Sequence, residues 1–323
     1  MNLKTIQQPI EKELAEFELY FKKAMKSQVS LLDKITYYLV KRKGKQVRPM
    51  FVFFSAKLAN EINQATYTAA ALVEIIHTAT LVHDDVVDDS MKRRGFFSIN
   101  ALWKNKIAVL VGDYLFSTGL NLALQERQFE VLYILNKAIK ELSEGELLQI
   151  EKARKLDIDE ETYIQIVSDK TGALIAAACE LGAITTTESM EDRKALSEFG
   201  ENIGIAFQIK DDLFDFEGVQ TIIGKTKGRD LKEQKITLPL IHAFTKAPRS
   251  ETKRVLKMIK NDVSSSDVKN IIAFTESHGG LDYAKKRLKD YSDKAIQNLS
   301  HFKDSPAKEG LKNFVQFNME RNK

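Results

Sequence analysis

Two acidic runs carry the clearest chemical signal in this sequence: DDVVDD at residues 84–89 and DDLFD at residues 211–215. Each run places an aspartate at positions i, i+1 and i+4. On a helix, positions i and i+4 lie one turn apart on the same face, so these two carboxylates can bind one metal ion from the same side. Clustered carboxylates repel unless a cation compensates them, and hard oxygen ligands suit Mg²⁺, which shares its coordination shell with substrate phosphates. The two runs therefore predict a Mg²⁺-dependent diphosphate site.

An acidic run on its own is often no more than a solvated helix end. Both runs here follow strongly apolar stretches, residues 69–82 and 203–209, so the acids emerge from helices that we expect to be buried. The recurrence of the same pattern in the same setting favours the functional interpretation.

Basic residues flank the acidic runs and could hold anions. GKQVRP at residues 44–49 places Lys45 and Arg48 three residues apart at a predicted helix entrance, where free backbone N–H groups and the helix dipole also favour an anion. The adjacent Arg93 and Arg94 follow the first run and can grip phosphate oxygens from two directions. Together these positions predict contacts to more than one phosphate group.

Further candidates lie before and after these positions. His77 is two helical turns before the first run on the same face, which favours it over His83 for an anion contact, although a histidine on an apolar helix is more often a core residue. A single basic residue is usually a surface charge, and only the recurrence at predicted helix ends makes the later ones candidates. These later candidates are Lys170 with its neighbour Thr171, Lys225 and Lys235.

The composition indicates long helices. Only 15 glycines and 5 prolines occur in 323 residues, whereas strands need turns rich in both. Helical periodicity covers residues 9–25, 30–42, 49–60 and 66–89 and resumes at residue 103, with interruptions expected at Gly112, Gly145 and Gly200. We find no convincing strand, linker or repeat, and we expect residues 1–323 to form a single all-α domain. The polar residues 218–239 directly follow the second run and are a candidate lid.

Charge and cysteine content exclude several classes of protein. A formal charge of +4, from 49 basic and 45 acidic residues, is too balanced for a nucleic-acid binder. The single cysteine, Cys179, lies in an apolar run and excludes an intramolecular disulfide framework, which fits a reducing compartment. No apolar stretch reaches the roughly 20 residues that span a bilayer, and the first residues lack a signal-peptide core. We expect a cytoplasmic protein.

In their order along the chain, these motifs resemble those of the trans-type polyprenyl diphosphate synthases, which condense an allylic diphosphate with isopentenyl diphosphate head to tail. Gln234, where many relatives have glycine, and Asp89, where many have glutamate, are small departures at polar positions. The last third of the chain resembles the family only in being helical. The matching motifs between residues 44 and 240 are GKQVRP at 44–49, HDDVVD at 83–88, RRG at 93–95, GDYL at 112–115, KT at 170–171, FQIKDD at 207–212, GK at 224–225 and DL at 230–231.

The resemblance implies an all-α orthogonal bundle of long helices around a central cavity, the isoprenoid synthase fold. It also implies a homodimer, Mg²⁺ as the cofactor, farnesyl or geranyl diphosphate as the allylic substrate, no nucleic-acid partner and at most peripheral membrane contact for product release. The implied metal ligands are Asp84, Asp88 and Asp211, with Asp85, Asp212 and Asp215 in supporting positions.

The resemblance also implies roles for the basic and polar candidates. Gln208 and the hydroxyl of Thr171 would stabilise an allylic cation, and the departing diphosphate would take the proton that is finally lost. The allylic diphosphate would lie on Arg93, Lys170 and Lys225. Isopentenyl diphosphate would lie on Lys45, Arg48, His77 and Arg94, and Lys235 would also contact substrate.

Small residues one turn before the first run predict a long product. Short-chain relatives typically carry an aromatic ring there, whereas this chain has Ala79 and Thr80, with Ile76 in the next turn. We expect Phe116 or another bulky residue of the facing helix to form a deeper floor. We expect about six to nine isoprene units along this helix face, as in quinone side chains. The alternative is that the small residues only permit close helix packing.

Other functions fit the residues less well. A terpene cyclase carries an Asn/Asp, Ser/Thr, Glu triad as its second metal motif, which DDLFD does not match, and it would have no second diphosphate for Lys45 and Arg48. The same basic pair disfavours head-to-head condensation. A noncatalytic subunit of a heteromeric synthase usually loses acids that both runs keep here. A short-chain farnesyl or geranylgeranyl diphosphate synthase stays open as an alternative.

Overall fold

The chain is predominantly helical in the part that the computed structural model describes, which is residues 2–42, 44–93, 95–217, 228–261 and 263–321. This confirms the all-α expectation. One two-stranded antiparallel hairpin, β1 (Lys92–Arg93) with β2 (Phe96–Phe97), is the sheet found in these ranges. A 3₁₀-helix covers Gln8–Ile10 and a π-helix covers Ser168–Gly172. The α-helices of these ranges are α1 (Leu3–Gln7), α2 (Glu11–Ala24), α3 (Ser30–Lys41), α4 (Val47–Ala59), α5 (Gln64–Val87), α6 (Ile99–Gln125), α7 (Phe129–Lys155), α8 (Glu160–Val167), α9 (Ala173–Ile184), α10 (Met190–Glu217), α11 (Arg229–Lys232), α12 (Leu238–Lys246), α13 (Arg249–Lys260), α14 (Ser265–Ser277), α15 (Gly280–Asn298) and α16 (Pro306–Glu320).

Contacts within the chain define two compact units. The first contains Met1–Lys137, Ala177–Ser197 and His301–Leu311, and it holds α5 with the first acidic run. The second contains Ala138–Ala176, Glu198–Ser300 and Lys312–Lys323, and it holds the second acidic run near the end of α10. The single domain expected from the sequence stays a prediction.

The ends of two helices position the candidate residues of the first unit. α4 begins at Val47, so Pro49 is the third helical residue, where its missing N–H would have had no intrahelical partner. α5 begins with a capping box in which Asn63 accepts from the Thr66 amide at 3.3 Å. It ends at Val87, which places the first acidic run on its last turn.

The three glycines at which we expected helices to break lie inside helices instead: Gly112 in α6, Gly145 in α7 and Gly200 in α10. That expectation is wrong, because each glycine admits a neighbouring segment too close for a side chain. A Cβ atom at Gly112 would lie 2.0 Å from the His83 ring. A Cβ atom at Gly145 would lie 2.6 Å from the Asp169 Cβ atom, and one at Gly200 would lie 2.6 Å from the Ala176 Cα atom.

Among the residues that the structure describes, two helices are long and apolar enough to cross a membrane by length and composition, which corrects the expectation that none would be. In α5 the apolar window is 78% buried, so this helix is a core element. In α6 the corresponding window is only 33% buried within this chain. Single polar residues interrupt both stretches in the sequence, which is why an uninterrupted apolar run was not evident.

A further glycine contact joins α10 to the π-helix. A Cβ atom at Gly204 would lie 2.7 Å from the Cα atom of Gly172, so the two backbones touch. One turn further along α10, the Thr171 hydroxyl donates to Oε1 of Gln208 at 3.1 Å. The close contact between the two backbones therefore lies one turn of α10 before the contact between two candidate catalytic side chains.

We predict that Gly204→Ala destabilises the protein by about 1–3 kcal/mol, because the added methyl group must push backbone away from backbone. This loss occurs although alanine is the better helix former. Gly172→Ala is the matched control, since its methyl group would make only ordinary contacts at 3.5 Å. Urea unfolding measures both, and a Gly204→Ala protein as stable as wild type would contradict the packing argument.

Candidate active site

Asp84 and Asp88, positions i and i+4 of the first run, lie one turn apart at the carboxyl end of α5, where Asp88 is the capping residue. The backbone N–H of Asp88 donates to the carbonyl oxygen of Asp84 at 2.8 Å, as helical geometry requires for positions i and i+4. Asp88 is exposed and Asp84 is partly exposed. Both residues therefore lie on one face of the helix, as the spacing predicted, and the structure shows that this face is accessible.

Asp85, the second residue of the run, points the other way. Its side chain is nearly buried, with 3% of the residue exposed, and Nε of Arg93 donates to its Oδ1 atom at 2.7 Å. Asn100 of α6 donates to its backbone oxygen at 3.1 Å. Burial raises the pKa of Asp85, and the Arg93 guanidinium opposes that rise. Asp85 thus connects α5 to the hairpin, and its supporting role at the metal stays a prediction.

The second acidic run repeats this division. Asp211 and Asp215 are partly exposed on α10, and the Oδ2 atom of Asp215 accepts from the backbone N–H of Asp230 at 3.2 Å. Asp212 is buried, with 4% exposed, and both of its oxygens accept hydrogen bonds. Tyr163 of α8 donates to Oδ2 at 2.6 Å and Gln208 donates to Oδ1 at 2.9 Å.

The surroundings of Asp212 set its acidity. Burial raises the pKa of Asp212 to about 7, and the nearby negative charge of Asp230 adds to the rise. The hydrogen bonds from Tyr163 and Gln208 oppose it, because they stabilise the carboxylate. Burial also raises the pKa of Tyr163 well above its ordinary value, so this hydroxyl stays a proton donor. The supporting role of Asp212 at the metal stays a prediction.

The structure brings the candidate catalytic side chains of the second unit to one pocket. This pocket is lined by Lys170, Thr171, Gln208, Asp212 and Lys235, among others. The first two lie on the π-helix, a distortion that often occurs at functional sites. The catalytic and substrate-binding roles of these residues stay predictions.

Lys170 contacts two polar side chains of α7, whereas Lys235 forms an ion pair with a nearby residue of its own segment. Nζ of Lys170 lies 2.7 Å from Oε1 of Gln149 and 2.5 Å from Oε2 of Glu146, both one turn apart on α7. Lys235 pairs with Glu233 at 2.7 Å. Glu146 and Gln149 were not predicted from the sequence, because their partner lies more than twenty residues away.

The basic candidates of the first unit form a second group. Arg48, in the first turn of α4, donates to Nε2 of His77 at 2.8 Å, and Lys45 is exposed just before that helix. His77, Asp85 and Arg93 line one pocket. Arg94 and Lys225 lie outside the described residues, as do residues 218–227 of the candidate lid.

The residues predicted to set product length lie on α5 and on the neighbouring helix α6. Ala79, Thr80 and Ile76 are all buried. Phe116 stacks on His83 with ring centroids 5.8 Å apart, so it lies level with the first aspartate and is no deeper floor. Helices α5 and α6 run antiparallel, and Gly119 of α6 lies opposite Ile76 of α5. A Cβ atom at Gly119 would lie 3.1 Å from the Cδ1 atom of Ile76.

Arg321 is a site residue that the sequence did not reveal. Its side chain is only 10% exposed, and it donates to Oδ1 of Asp211 at 2.6 Å and to the Phe207 carbonyl oxygen at 3.1 Å. Asn318 accepts from its Nε atom at 2.9 Å, and the guanidinium carbon lies 3.9 Å from the Phe207 ring centroid. Burial lowers the pKa of Arg321, and Asp211 opposes that shift. A cation thus already neutralises the first aspartate of the second run.

The carboxylates present fit a hard divalent ion. Among the described residues, no three His, Cys, Asp or Glu side chains converge to form a complete metal cage. Each run instead offers two accessible carboxylates, one helical turn apart. Mg²⁺ needs only one or two protein carboxylates when substrate phosphates and waters complete its octahedron. The donor set is therefore suited to a metal that arrives with a phosphorylated substrate.

Comparison with known proteins gives likenesses over the whole chain. The sequence profile described as "Polyprenyl synthetase" matches residues 29–275. The chain is 32% identical to the octaprenyl diphosphate synthase of Escherichia coli over 323 residues, the full length of both proteins. It is 33% identical to the geranylgeranyl diphosphate synthase of Saccharolobus solfataricus over 312 residues, 94% of each chain.

A solved structure extends the likeness to the fold. The polyprenyl synthase from Caulobacter crescentus, complexed with calcium and isoprenyl diphosphate, superposes with a TM-score of 0.90 at 32% identity. The superposition covers 100% of this chain and 98% of the other. The all-α fold of this chain is therefore that of the solved prenyl synthases.

We predict that Arg321→Gln binds divalent metal about tenfold more tightly, because the competing cation on Asp211 is removed. Manganese titration followed by electron paramagnetic resonance, with inorganic pyrophosphate present, measures the affinity directly. Lys312→Gln, which removes a positive charge elsewhere on α16, is the control and should leave the affinity unchanged. An Arg321→Gln affinity that is unchanged or weaker would show that Arg321 does not compete with the metal.

Proposed function

Because the chain belongs to the polyprenyl synthetase family and is a trans-prenyltransferase, we propose that it condenses isopentenyl diphosphate head to tail with an allylic diphosphate, farnesyl or geranyl diphosphate. The observation that carries this proposal is the repeated division of the acidic runs. In each, the outer carboxylates are accessible and the second is buried and hydrogen-bonded. Such paired carboxylates suit the metal ions of a diphosphate leaving group.

The allylic diphosphate is the substrate that must ionise. Asp84, Asp88, Asp211 and Asp215 would hold Mg²⁺, with Asp85 and Asp212 supporting them from the buried side. When bound, the metal neutralises charge that develops on the departing diphosphate. The positively charged side chains of Arg93, Lys170 and Lys225 would bind the same diphosphate. The calcium and isoprenyl diphosphate in the Caulobacter crescentus relative support this class of site.

Isopentenyl diphosphate must keep its diphosphate, so a metal-free basic pocket is appropriate. Lys45 and Arg48 stand at the amino end of α4, and Arg48 already contacts His77 at 2.8 Å. Free N–H groups and the helix dipole favour an anion there. Arg94 would complete this pocket, and Lys235 would contact substrate from the second unit's pocket.

The cation left after ionisation needs electron-rich neighbours and exclusion of water. Oε1 of Gln208 and the hydroxyl oxygen of Thr171 are 3.1 Å apart in the pocket that also contains Lys170. Their lone pairs would stabilise the allylic cation until the double bond of isopentenyl diphosphate attacks it. The departed diphosphate would accept the proton lost from the adduct, since no histidine lines that pocket among the described residues.

We propose a long product of about six to nine isoprene units, of the type used for quinone side chains. Twenty residues of α5 precede Asp84, about 30 Å of helix at 1.5 Å per residue, which is long enough to guide such a tail. The small side chains of Ala79 and Thr80 support this over a short-chain product. Relatives of similar identity include both octaprenyl and geranylgeranyl diphosphate synthases, so sequence identity alone does not decide the length.

A homodimer would cover an exposed apolar surface of the first unit. Large apolar residues recur at the surface of α6 and the start of α7, and patches of this kind mark interaction sites. They are Val109, Leu110, Leu120, Leu124, Phe129 and Tyr133. We assign this surface to a second copy of the chain and place the protein in the cytoplasm, with at most peripheral membrane contact for product release and no nucleic-acid partner.

Metal dependence tests the reaction class. Asp84→Ala is expected to lower turnover of farnesyl diphosphate with isopentenyl diphosphate by about a thousandfold or more, because a ligand for the leaving-group metal is lost. Asp89→Asn is the control, since Asp89 is exposed and asparagine tolerates its left-handed backbone (φ 47°). Chelation with EDTA should abolish turnover and Mg²⁺ should restore it. Full turnover in EDTA would exclude metal-assisted ionisation.

Product length has its own test. Ala79→Tyr is expected to shorten the product to farnesyl or geranylgeranyl size while leaving the first condensation intact, because the ring would obstruct the tail. Chromatography of the dephosphorylated products measures the length, Ala79→Ser serves as the control of unchanged size, and circular dichroism checks folding. A wild-type product of farnesyl or geranylgeranyl size, or an unchanged product from folded Ala79→Tyr, would contradict the long-chain proposal.

A further inference from the structure

One face of α10 carries a ladder of contacts to the segment that runs from α8 through the π-helix to α9. The ladder begins with two backbone contacts and ends with two side-chain hydrogen bonds. Its four rungs, spaced four residues apart on α10, are Gly200 with Ala176, Gly204 with Gly172, Gln208 with Thr171, and Asp212 with Tyr163. Tyr163 is the last rung and has no role in the reaction as proposed above.

The ladder fixes which way the Gln208 amide faces. Its NH₂ group donates to Oδ1 of Asp212 at 2.9 Å, and its Oε1 atom accepts from Thr171 at 3.1 Å. If the amide were rotated by 180°, its oxygen would face a carboxylate oxygen and its NH₂ group would face the Thr171 hydroxyl. Only the observed orientation keeps the Gln208 carbonyl oxygen beside the Thr171 hydroxyl, where the two oxygens could together stabilise the allylic cation.

Asp212 can hold the amide only if Asp212 itself is held. Its Oδ2 atom accepts from the Tyr163 hydroxyl at 2.6 Å, and the two residues are 4% exposed each. Without the hydroxyl, a buried carboxylate oxygen would lack this partner, and carboxylates turn toward other donors or water rather than stay unsatisfied. The orientation of Gln208 therefore depends on a tyrosine that does not touch it in any described contact.

We propose that Tyr163 is a positioning residue for allylic ionisation, acting through Asp212 to keep the Gln208 carbonyl oxygen directed at the developing cation. This inference rests on the proposed prenyl transfer. This role differs from a purely structural one, because a hydroxyl that only stabilised the fold would have no specific effect on the rate of the chemical step. It predicts that the hydroxyl contributes to the chemical step and little to substrate binding.

Tyr163→Phe removes the hydroxyl and keeps the ring. We expect kcat for condensation to fall on the order of tenfold, with KM for both substrates changed less than about twofold, because the lost interaction acts in the transition state. Tyr283→Phe is the matched control: its hydroxyl also donates to a carboxylate, Glu160 of α8 at 2.7 Å, but this hydrogen bond is not one of the four contacts to α10. The control should leave kcat unchanged, and thermal unfolding of both variants should show folded proteins.

A double-mutant cycle decides whether the effect passes through Gln208. In a Gln208→Ala background, Tyr163→Phe should cost less than about twofold in kcat, since there is no longer an amide to orient. Additive losses, a loss equal to that of Tyr283→Phe, or a change confined to KM would each overturn the inference while leaving the proposed function in place. A folded wild-type protein that forms no condensation product with Mg²⁺ would overturn the proposed function and this inference together.

Discussion

A buried carboxylate must be hydrogen-bonded, and this constraint organises both acidic runs. Asp85 and Asp212 are the second residues of their runs, each turned about 100° around the helix from the first. Each lies inside the protein and accepts from a partner on another element, Arg93 of the hairpin or Tyr163 of α8. The first and fifth positions consequently stay on the accessible side, so the pairing of the inner acid determines where the outer acids lie.

Backbone packing then determines which side chains share the pocket of the second unit. Gly145 admits the π-helix against α7, and Gly204 admits it against α10. Lys170 and Thr171 lie between these two contacts in the sequence of the π-helix, and their polar atoms reach Glu146 and Gln208, respectively. A larger residue at either glycine would separate the backbones before these side chains could meet. The arrangement of side chains in this pocket thus depends on the lack of a side chain at Gly145 and Gly204.

The spacing of residues predicted much of this from the sequence. The period of the apolar residues predicted the helices, and the i, i+4 spacing predicted that Asp84 and Asp88, and likewise Asp211 and Asp215, lie on one helix face. Local signals of this kind need only neighbouring residues. They failed for the glycines inside α6, α7 and α10, because a glycine that breaks a helix and one that admits a neighbour look the same in a sequence.

Two hydrogen-bond partners of the second run could not be predicted, because they lie far away along the chain. Tyr163 is 49 residues from Asp212 and Arg321 is 110 residues from Asp211. Phe116 was misplaced for a similar reason: its depth depends on the antiparallel register of α6 against α5, which the residue types do not encode locally. Residue type and spacing thus predicted which acids would bind metal, and tertiary packing decided which of them face the solvent.

A crystal structure with Mn²⁺ and a nonreactive thio analogue of the allylic diphosphate would test the division of the acids most directly, because anomalous scattering locates each ion. We predict ions coordinated by carboxylates from the outer set Asp84, Asp88, Asp211 and Asp215, with Asp85 still bonded to Arg93 and Asp212 still bonded to Tyr163. An ion coordinated directly by Asp85 or Asp212, with that inward hydrogen bond broken, would contradict it.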